Sequence, residues 1–267
     1  MPVAAVNGVE ITYSDSGGEG PAVVFSHGFL MDHTMFDSQV AALAPQYRVI
    51  TWDQRGHGGT RATGAFTYWD SAADVLGLLD QLGVERAVLA GMSQGGFLSL
   101  RAALAAPGRV RALVLIDSQA GQEDPAMVPA YEQLHQAWLD NGPGPVQEVT
   151  ASIILGPGQW DGWYAKWAEQ YAQCMPDDQG QLDWPFRCLM DRDDITGRLA
   201  EITGPALIVH GTADAAIPMA RAEAVRDGLG GPVTFTAVEG APHASNITHS
   251  REVNQAILRF LSGLDGG

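Results

Sequence analysis

The stretch Ala87-Val88-Leu89-Ala90-Gly91-Met92-Ser93-Gln94-Gly95-Gly96-Phe97-Leu98-Ser99-Leu100 decides the fold. Ala87 to Ala90 read as a buried strand, and Phe97 to Leu104 as a good helix former. Between them lies Gly91-Met92-Ser93-Gln94-Gly95, a G-x-S-x-G pentapeptide. In that motif a serine sits on a tight strand-to-helix turn with its oxygen exposed above a sheet. The turn forces Ser93 into a strained backbone region, and side chains at 91 or 95 would collide with the neighbouring strand and helix. The helix start at Gln94 points free backbone N–H groups at any developing negative charge. The pentapeptide alone is a weak signal, because Gly-rich turns also serve packing. Strand, turn and helix in the required order give it weight.

On either side of this unit, short β-branched runs alternate with helical patterns, the signature of a parallel sheet covered by helices on both faces. Val3 to Val6 and Val9 to Tyr13 flank Asn7-Gly8, a pair that supplies the positive φ angles of a two-residue hairpin, so an antiparallel edge opens the sheet. Further strands are expected at Ala22 to Ser26, Arg48 to Trp52, Ala87 to Ala90, Ala112 to Ile116, Ala206 to His210 and Val233 to Val238, eight in all. Helices are expected at Met35 to Ala44, Trp69 to Leu82, Gly95 to Ala106, Met219 to Leu229 and Ser250 to Leu261. From Gln119 to Thr203 the rhythm breaks: there is no clear buried strand, and five of the seven tryptophans fall here. The expected organisation is an α/β core of residues 1–118 and 204–267 carrying an inserted helical cap at 119–203, after strand six. Gly266-Gly267 reads as a frayed tail.

Composition narrows the function. The chain has 267 residues, 46% hydrophobic and 17% charged, enough for a large core and unlike a disordered or fibrous protein. Its 31 acidic against 15 basic side chains give a formal charge of -16, which repels phosphate backbones and anionic membranes. A small-molecule substrate is expected, with neither nucleic acid nor membrane as partner. There is no apolar run long enough to span a bilayer and no signal-peptide pattern at the start, so the expected location is cytoplasmic. Cys174 and Cys188 lack the clustered partners of a zinc site and read as buried thiols; no metal or cofactor is expected.

A serine hydroxyl is a weak nucleophile until a neighbouring base takes its proton, so an imidazole with a carboxylate behind it must come from elsewhere in the chain. His243 lies just past the last strand, where a loop could reach back over Ser93, whereas His249 sits beside a helix start as a surface or capping residue. For the carboxylate, Asp214 follows the strand Ala206 to His210 and gives the chain order Ser, Asp, His; it is favoured over Asp117, which also ends a strand. The backbone N–H of Phe29, in His27-Gly28-Phe29, is expected to pair with that of Gln94 to hold an oxyanion. Such donors are worth about 2.7 to 4 kcal/mol each in a dry site. His27 is expected to bond loop backbone.

The chain resembles the α/β-hydrolase superfamily through His27-Gly28-Phe29, Trp52-Asp53-Gln54-Arg55-Gly56-His57-Gly58, Gly91-Met92-Ser93-Gln94-Gly95-Gly96, His210-Gly211-Thr212-Ala213-Asp214 and Gly240-Ala241-Pro242-His243. The resemblance implies an eight-stranded, mostly parallel sheet with strand two antiparallel, a Ser93, Asp214, His243 triad, and a cap after strand six. It also implies that Asp53 and Arg55 hold a structural turn. Thr60 stands where many relatives have serine, a departure expected to affect only a surface turn. Relatives that open epoxides or remove halides usually place aspartate at the nucleophile position; here it is Ser93, which favours acyl transfer.

Within the inserted segment, Trp160, Trp163 and Trp167 are spaced for one helical face, and core packing is the main reading. Trp160, Trp163 and Trp184 are the candidates to line a pocket facing Ser93. Arg187, Arg192 and Arg198, at the end of this segment, read as solvated surface cations, with recognition of a carboxylate-bearing substrate as the alternative. The expectation is a serine carboxylesterase or lactonase acting on a small, largely uncharged substrate through an acyl-enzyme. Perhydrolysis, C–C bond hydrolysis and a slow-turnover ligand receptor use the same residues and stay open, since a fold alone does not name a reaction.

Overall fold

Asn7 and Gly8 take φ values of 47° and 79° and turn β1 (Val3–Val6) back on β2 (Val9–Asp15), with Val6 opposite Val9. In this computed structural model, which describes residues 1–265, β2 also pairs antiparallel with β4 (Arg48–Trp52). The remaining pairings, among β3 (Ala22–Ser26), β4, β5 (Ala87–Met92), β6 (Val110–Ile116), β7 (Ala206–Gly211) and β8 (Val233–Val238), are all parallel. The sheet order is β1-β2-β4-β3-β5-β6-β7-β8, with strand two alone running against the others, as expected. The tail at Gly266 and Gly267 lies outside the described residues.

Alternate side chains of the central strands enter two cores. Val24, Ile50, Leu89, Leu113 and Ile208 face one layer, packed by α2 (Tyr68–Gln81), α3 (Gln94–Ala105) and α8 (Met219–Gly228). Their sequence neighbours Val23, Val49, Val88, Val114 and Val209 face the other, against α1 (Asp37–Leu43) and α10 (Ser250–Asp265). Each fully buried aliphatic contributes about 1.5–3 kcal/mol relative to exposure, so both faces resist a register slip. Thr60 corrects an expectation: it is buried, and its hydroxyl accepts the Thr12 N–H at 2.9 Å, tying the turn after β4 to β2.

Between β6 and β7 come four α-helices, α4 (Val128–Asn141), α5 (Gln147–Ile154), α6 (Asp161–Cys174) and α7 (Gly180–Met190), and a short 3-10 helix, Thr196–Glu201. They lie across the loops that leave the C-terminal ends of β3 and β4. Trp167 Nε1 donates to the Leu30 carbonyl at 2.7 Å, Lys166 Nζ to the Asp32 carboxylate at 2.6 Å, and the Gln170 amide to the Gly56 carbonyl at 2.9 Å. Where the segment leaves and rejoins the sheet, Arg192 donates to the carbonyls of Gly121 and Leu189. Arg192 is therefore not the solvated cation expected from sequence; it is buried and paired with Glu123. Cys174 and Cys188 are both buried free thiols.

Candidate active site

Ser93 sits between β5 and α3 with φ 52° and ψ -117°, a conformation that L-residues rarely adopt. Hydrogen bonds hold it there: its N–H donates to the Ile116 carbonyl at 2.9 Å, and its carbonyl accepts from Gly96 N–H and the Ser118 hydroxyl, each at 2.9 Å. The flanking glycines are required by contact. A Cβ on Gly91 would overlap the Gly95 backbone, and one on Gly95 the Ser26 carbonyl. The loop after β3 passes close to the turn, since a Cβ on Gly28 would come within 2.6 Å of Met92 Sδ. Phe29 follows it, and among the described residues no acceptor takes the N–H of Phe29 or of Gln94.

Asp214 and His243 meet across the loops after β7 and β8. His243 Nδ1 donates to Asp214 Oδ2 at 2.8 Å, which leaves Nε2 as the unprotonated nitrogen. Asp214 Oδ1 accepts the N–H groups of Ala216 and Ile217 at 2.8 and 2.9 Å. Burial opposes ionisation of Asp214, but the His243 charge and hydrogen bond, with the Ile217 N–H, outweigh it and hold the carboxyl below its ordinary value. At His243 burial likewise opposes the charged form; the Asp214 charge and hydrogen bond, with the charges of Asp117 and Glu123, reverse the balance and raise the imidazole above its ordinary value. Ser93 and His243 line the same cavity. Among the described residues they share no hydrogen bond.

Asp117 is fully buried at the end of β6 and accepts from Gly211 N–H, Ser245 N–H and the Ser245 hydroxyl. Burial, aided by the nearby Asp214 charge, pushes it up to about 7. His210 Nε2 donates to the Ile217 carbonyl at 2.8 Å and lies 3.4 Å from Asp214 Oδ2. Asp117, His210 and Asp214 present atoms within 4.8 Å of one another. Their oxygens and His210 Nε2 take part in these hydrogen bonds, which tie together the loops after β6, β7 and β8, while His210 Nδ1 is buried without a partner among the described residues. His27 is held by backbone, with Nδ1 donating to the Gly28 carbonyl at 2.8 Å and Nε2 accepting the Gln54 N–H at 2.9 Å. Asp53 accepts the N–H groups of His33 and Gly59, while Arg55 pairs with Asp74. His249 bonds its neighbour Thr248.

The cavity measures about 130 Å³ and is roofed by α4, α5 and α7. Trp160, Trp163 and Trp184 do not line it. Trp160 Nε1 donates to the Gly156 carbonyl, Trp163 lies under the Lys166 ammonium, and the Trp184 ring lies against Gly180. The lining tryptophan is Trp138, packed edge-on against Trp167 with ring centroids 5.6 Å apart. It shares one face of α4 with Tyr131, Leu134 and His135, which also line the cavity; that three-and-four spacing was the available signal. Glu123, Gln119 and His57 also line it and were not singled out from sequence.

The family with the alpha/beta hydrolase fold matches residues 21–250. The chain belongs to that family. It is 31% identical over 250 residues to a putative carbamate hydrolase RutD of Variovorax paradoxus, covering 91% of this chain and 92% of that one. It is 27% identical over 260 residues to 3-oxoadipate enol-lactonase 1 of Acinetobacter baylyi, covering 91% and 90%. Among solved structures, the enol-lactonase from Burkholderia xenovorans LB400 superposes with a TM-score of 0.83 at 27% identity, covering 98% of this chain and 100% of that one. Among the described residues, no helix is long and apolar enough to cross a membrane.

Proposed function

We propose that this α/β hydrolase is a serine hydrolase that cleaves a small carboxylic ester or lactone through an acyl-enzyme. His243 Nε2 takes the hydroxyl proton as Ser93 Oγ adds to the carbonyl carbon. Asp214 stays ionised, keeps the imidazole in the required tautomer and stabilises its protonated form. The N–H groups of Phe29 and Gln94 bind the oxyanion, collapse expels the alcohol with the proton from His243, and water repeats the cycle on the acyl group. In a lactone the leaving alcohol remains part of the acyl chain. Residues 119–203 act as a cap that keeps this chemistry away from bulk water. The observation that carries the reading is the 2.8 Å Asp214–His243 hydrogen bond, with His243 opening onto the cavity that Ser93 lines. A cavity of about 130 Å³ is close to the ~150 Å³ that accepts a benzene ring, which supports a small acyl or aryl group. The names of the relatives, an enol-lactonase and a carbamate hydrolase, favour the same reaction type.

The test is Ser93→Ala assayed on short-chain aryl esters, beside labelling of the wild type with a serine-directed phosphonate. Turnover should fall by roughly 10⁴-fold or more, and the label should map to Ser93. Undiminished turnover in the alanine variant would overturn the proposal.

A further inference from the structure

The cavity wall carries one acidic side chain among the described residues. Glu123 lines it, together with neutral or apolar groups and the three imidazoles of His57, His135 and His243; no lysine or arginine does. The carboxylate is fixed in place: Oε1 accepts the Asp124 N–H at 3.0 Å, and Oε2 accepts from Arg192 Nη2 at 3.1 Å. Arg192 stands behind it, with a side chain only 1% exposed, its other N–H groups on the carbonyls of Gly121 and Leu189 and its guanidinium over the Phe97 ring. Glu123 thus lines the cavity, whereas its counter-ion Arg192 is buried beside it and does not. Gln119 lines the same cavity with its side-chain oxygen buried and unpartnered among the described residues, a second group suited to meeting a hydrogen-bond donor.

Building on the serine hydrolase reading, we infer that Glu123 is a charge filter that admits neutral or ammonium-bearing esters and turns away those carrying a carboxylate. In a partly desolvated cleft, two like charges a few ångströms apart repel strongly enough to change relative rates by about tenfold or more. The consequence separates this chain from one of its relatives. Adipate has two carboxyl groups and an enol-lactone uses one, so 3-oxoadipate enol-lactone keeps a free carboxylate for which this cavity offers no lysine or arginine among the described residues.

The experiment compares para-acetoxybenzamide, para-acetoxybenzoate and the acetate ester of para-(aminomethyl)phenol, each rate divided by that with hydroxide. In the wild type, kcat/KM for the amide and ammonium esters should exceed that for the carboxylate by about tenfold or more. Glu123→Gln should abolish or reverse the preference, because Arg192 is then unopposed, while turnover of the amide ester reports a folded enzyme. Asp161→Asn, an equal change of net charge at an exposed position on α6, should leave the ratio unchanged. A ratio that is the same in wild type and Glu123→Gln overturns the filter; turnover surviving Ser93→Ala overturns the hydrolase reading instead. If Glu123→Gln does not fold, calorimetry on the wild type decides. Benzamide should bind at least tenfold tighter than benzoate, and equal affinities or no binding of either overturns the filter.

Discussion

Asp117 holds Ser245 twice, accepting its N–H at 3.0 Å and its hydroxyl at 2.5 Å on the same carboxylate oxygen. The other oxygen accepts the Gly211 N–H at 2.8 Å. Ser245 lies two residues beyond His243, and Gly211 lies three before Asp214. One buried carboxylate at the end of β6 therefore sets the spacing between the two loops that present the imidazole and its acid. The two strand-end aspartates divide the work: Asp214 contacts the imidazole, and Asp117 fixes the loops.

Asp117→Asn puts an NH₂ group where the native site has an acceptor facing a backbone N–H. The variant should lose about 1–3 kcal/mol of stability, the cost of an unsatisfied buried donor. It should also lose kcat with little change in KM, because the cavity wall is untouched while the His243 loop loosens. Thermal melting and steady-state kinetics on one ester check both parts. Unchanged melting and unchanged kcat together would show that the loops are held by other contacts.

The sheet was legible because its signals are local. Asn7-Gly8 encodes its own turn, and the aliphatic runs of β3 to β7 have few alternatives to burial on both faces. The positions of Ser93, Asp214 and His243 were legible because each stands at or just beyond a strand end, in a short motif with its own steric logic; their roles stay with the proposed reaction. The cavity lining was not. The stripe Tyr131, Leu134, His135, Trp138 has the same spacing as Trp160, Trp163, Trp167, and periodicity marks a helix face without saying what covers it. Arg192 was misread for a related reason: burial of an arginine depends on its partner, and Glu123 lies 69 residues away along the chain. Thr60 is buried by a contact with Thr12, 48 residues away, which no turn signal encodes.

Raising the His243 pKa has a sign that can be measured. In the proposed reaction the neutral imidazole is the base, so kcat/KM should fall as pH drops through a midpoint above the ordinary histidine value of 6.5. In Asp214→Asn the largest raising charge is gone and only those of Asp117 and Glu123 remain, so the midpoint should move down, and kcat at its plateau should fall by about 10³–10⁴-fold. The stability linkage runs the opposite way. The His243 contribution in the wild type is fully present below the unfolded-state pKa and is lost as pH rises through the higher folded value. That loss should be missing in Asp214→Asn, as thermal melts across pH 6 to 9 would reveal. An acid limb that does not move would place another group in control of the rate.

Gly95→Ala tests the steric account of the nucleophile turn. The new Cβ would meet the Ser26 carbonyl, backbone against backbone, with no flexible group to give way. A loss of about 1–3 kcal/mol is expected from overpacking, with slower phosphonate labelling because Ser93 must shift. Gly64→Ala provides the contrast, since nothing lies within 4 Å of its Cβ position and no positive φ is involved. Its stability should stay within about 0.5 kcal/mol of wild type. Equal melting temperatures for the two variants would remove the steric explanation.

Phe186 lines the cavity and stacks on His135 with ring centroids 3.9 Å apart, whereas Trp160 lies outside the lining and bonds the Gly156 carbonyl. Phe186→Ala should enlarge the cavity and move the optimum acyl length upward by one or two carbons in a series of aryl esters. It should cost about 3–5 kcal/mol of stability, the usual loss for a buried aromatic truncated to alanine. Trp160→Phe removes one hydrogen bond at the edge of the helical segment and should leave the chain-length profile unchanged, with kcat/KM within about twofold. The two profiles, measured side by side, decide between the helix faces: a shift caused by Trp160→Phe and none by Phe186→Ala would return the tryptophan stripe of α6 to the pocket.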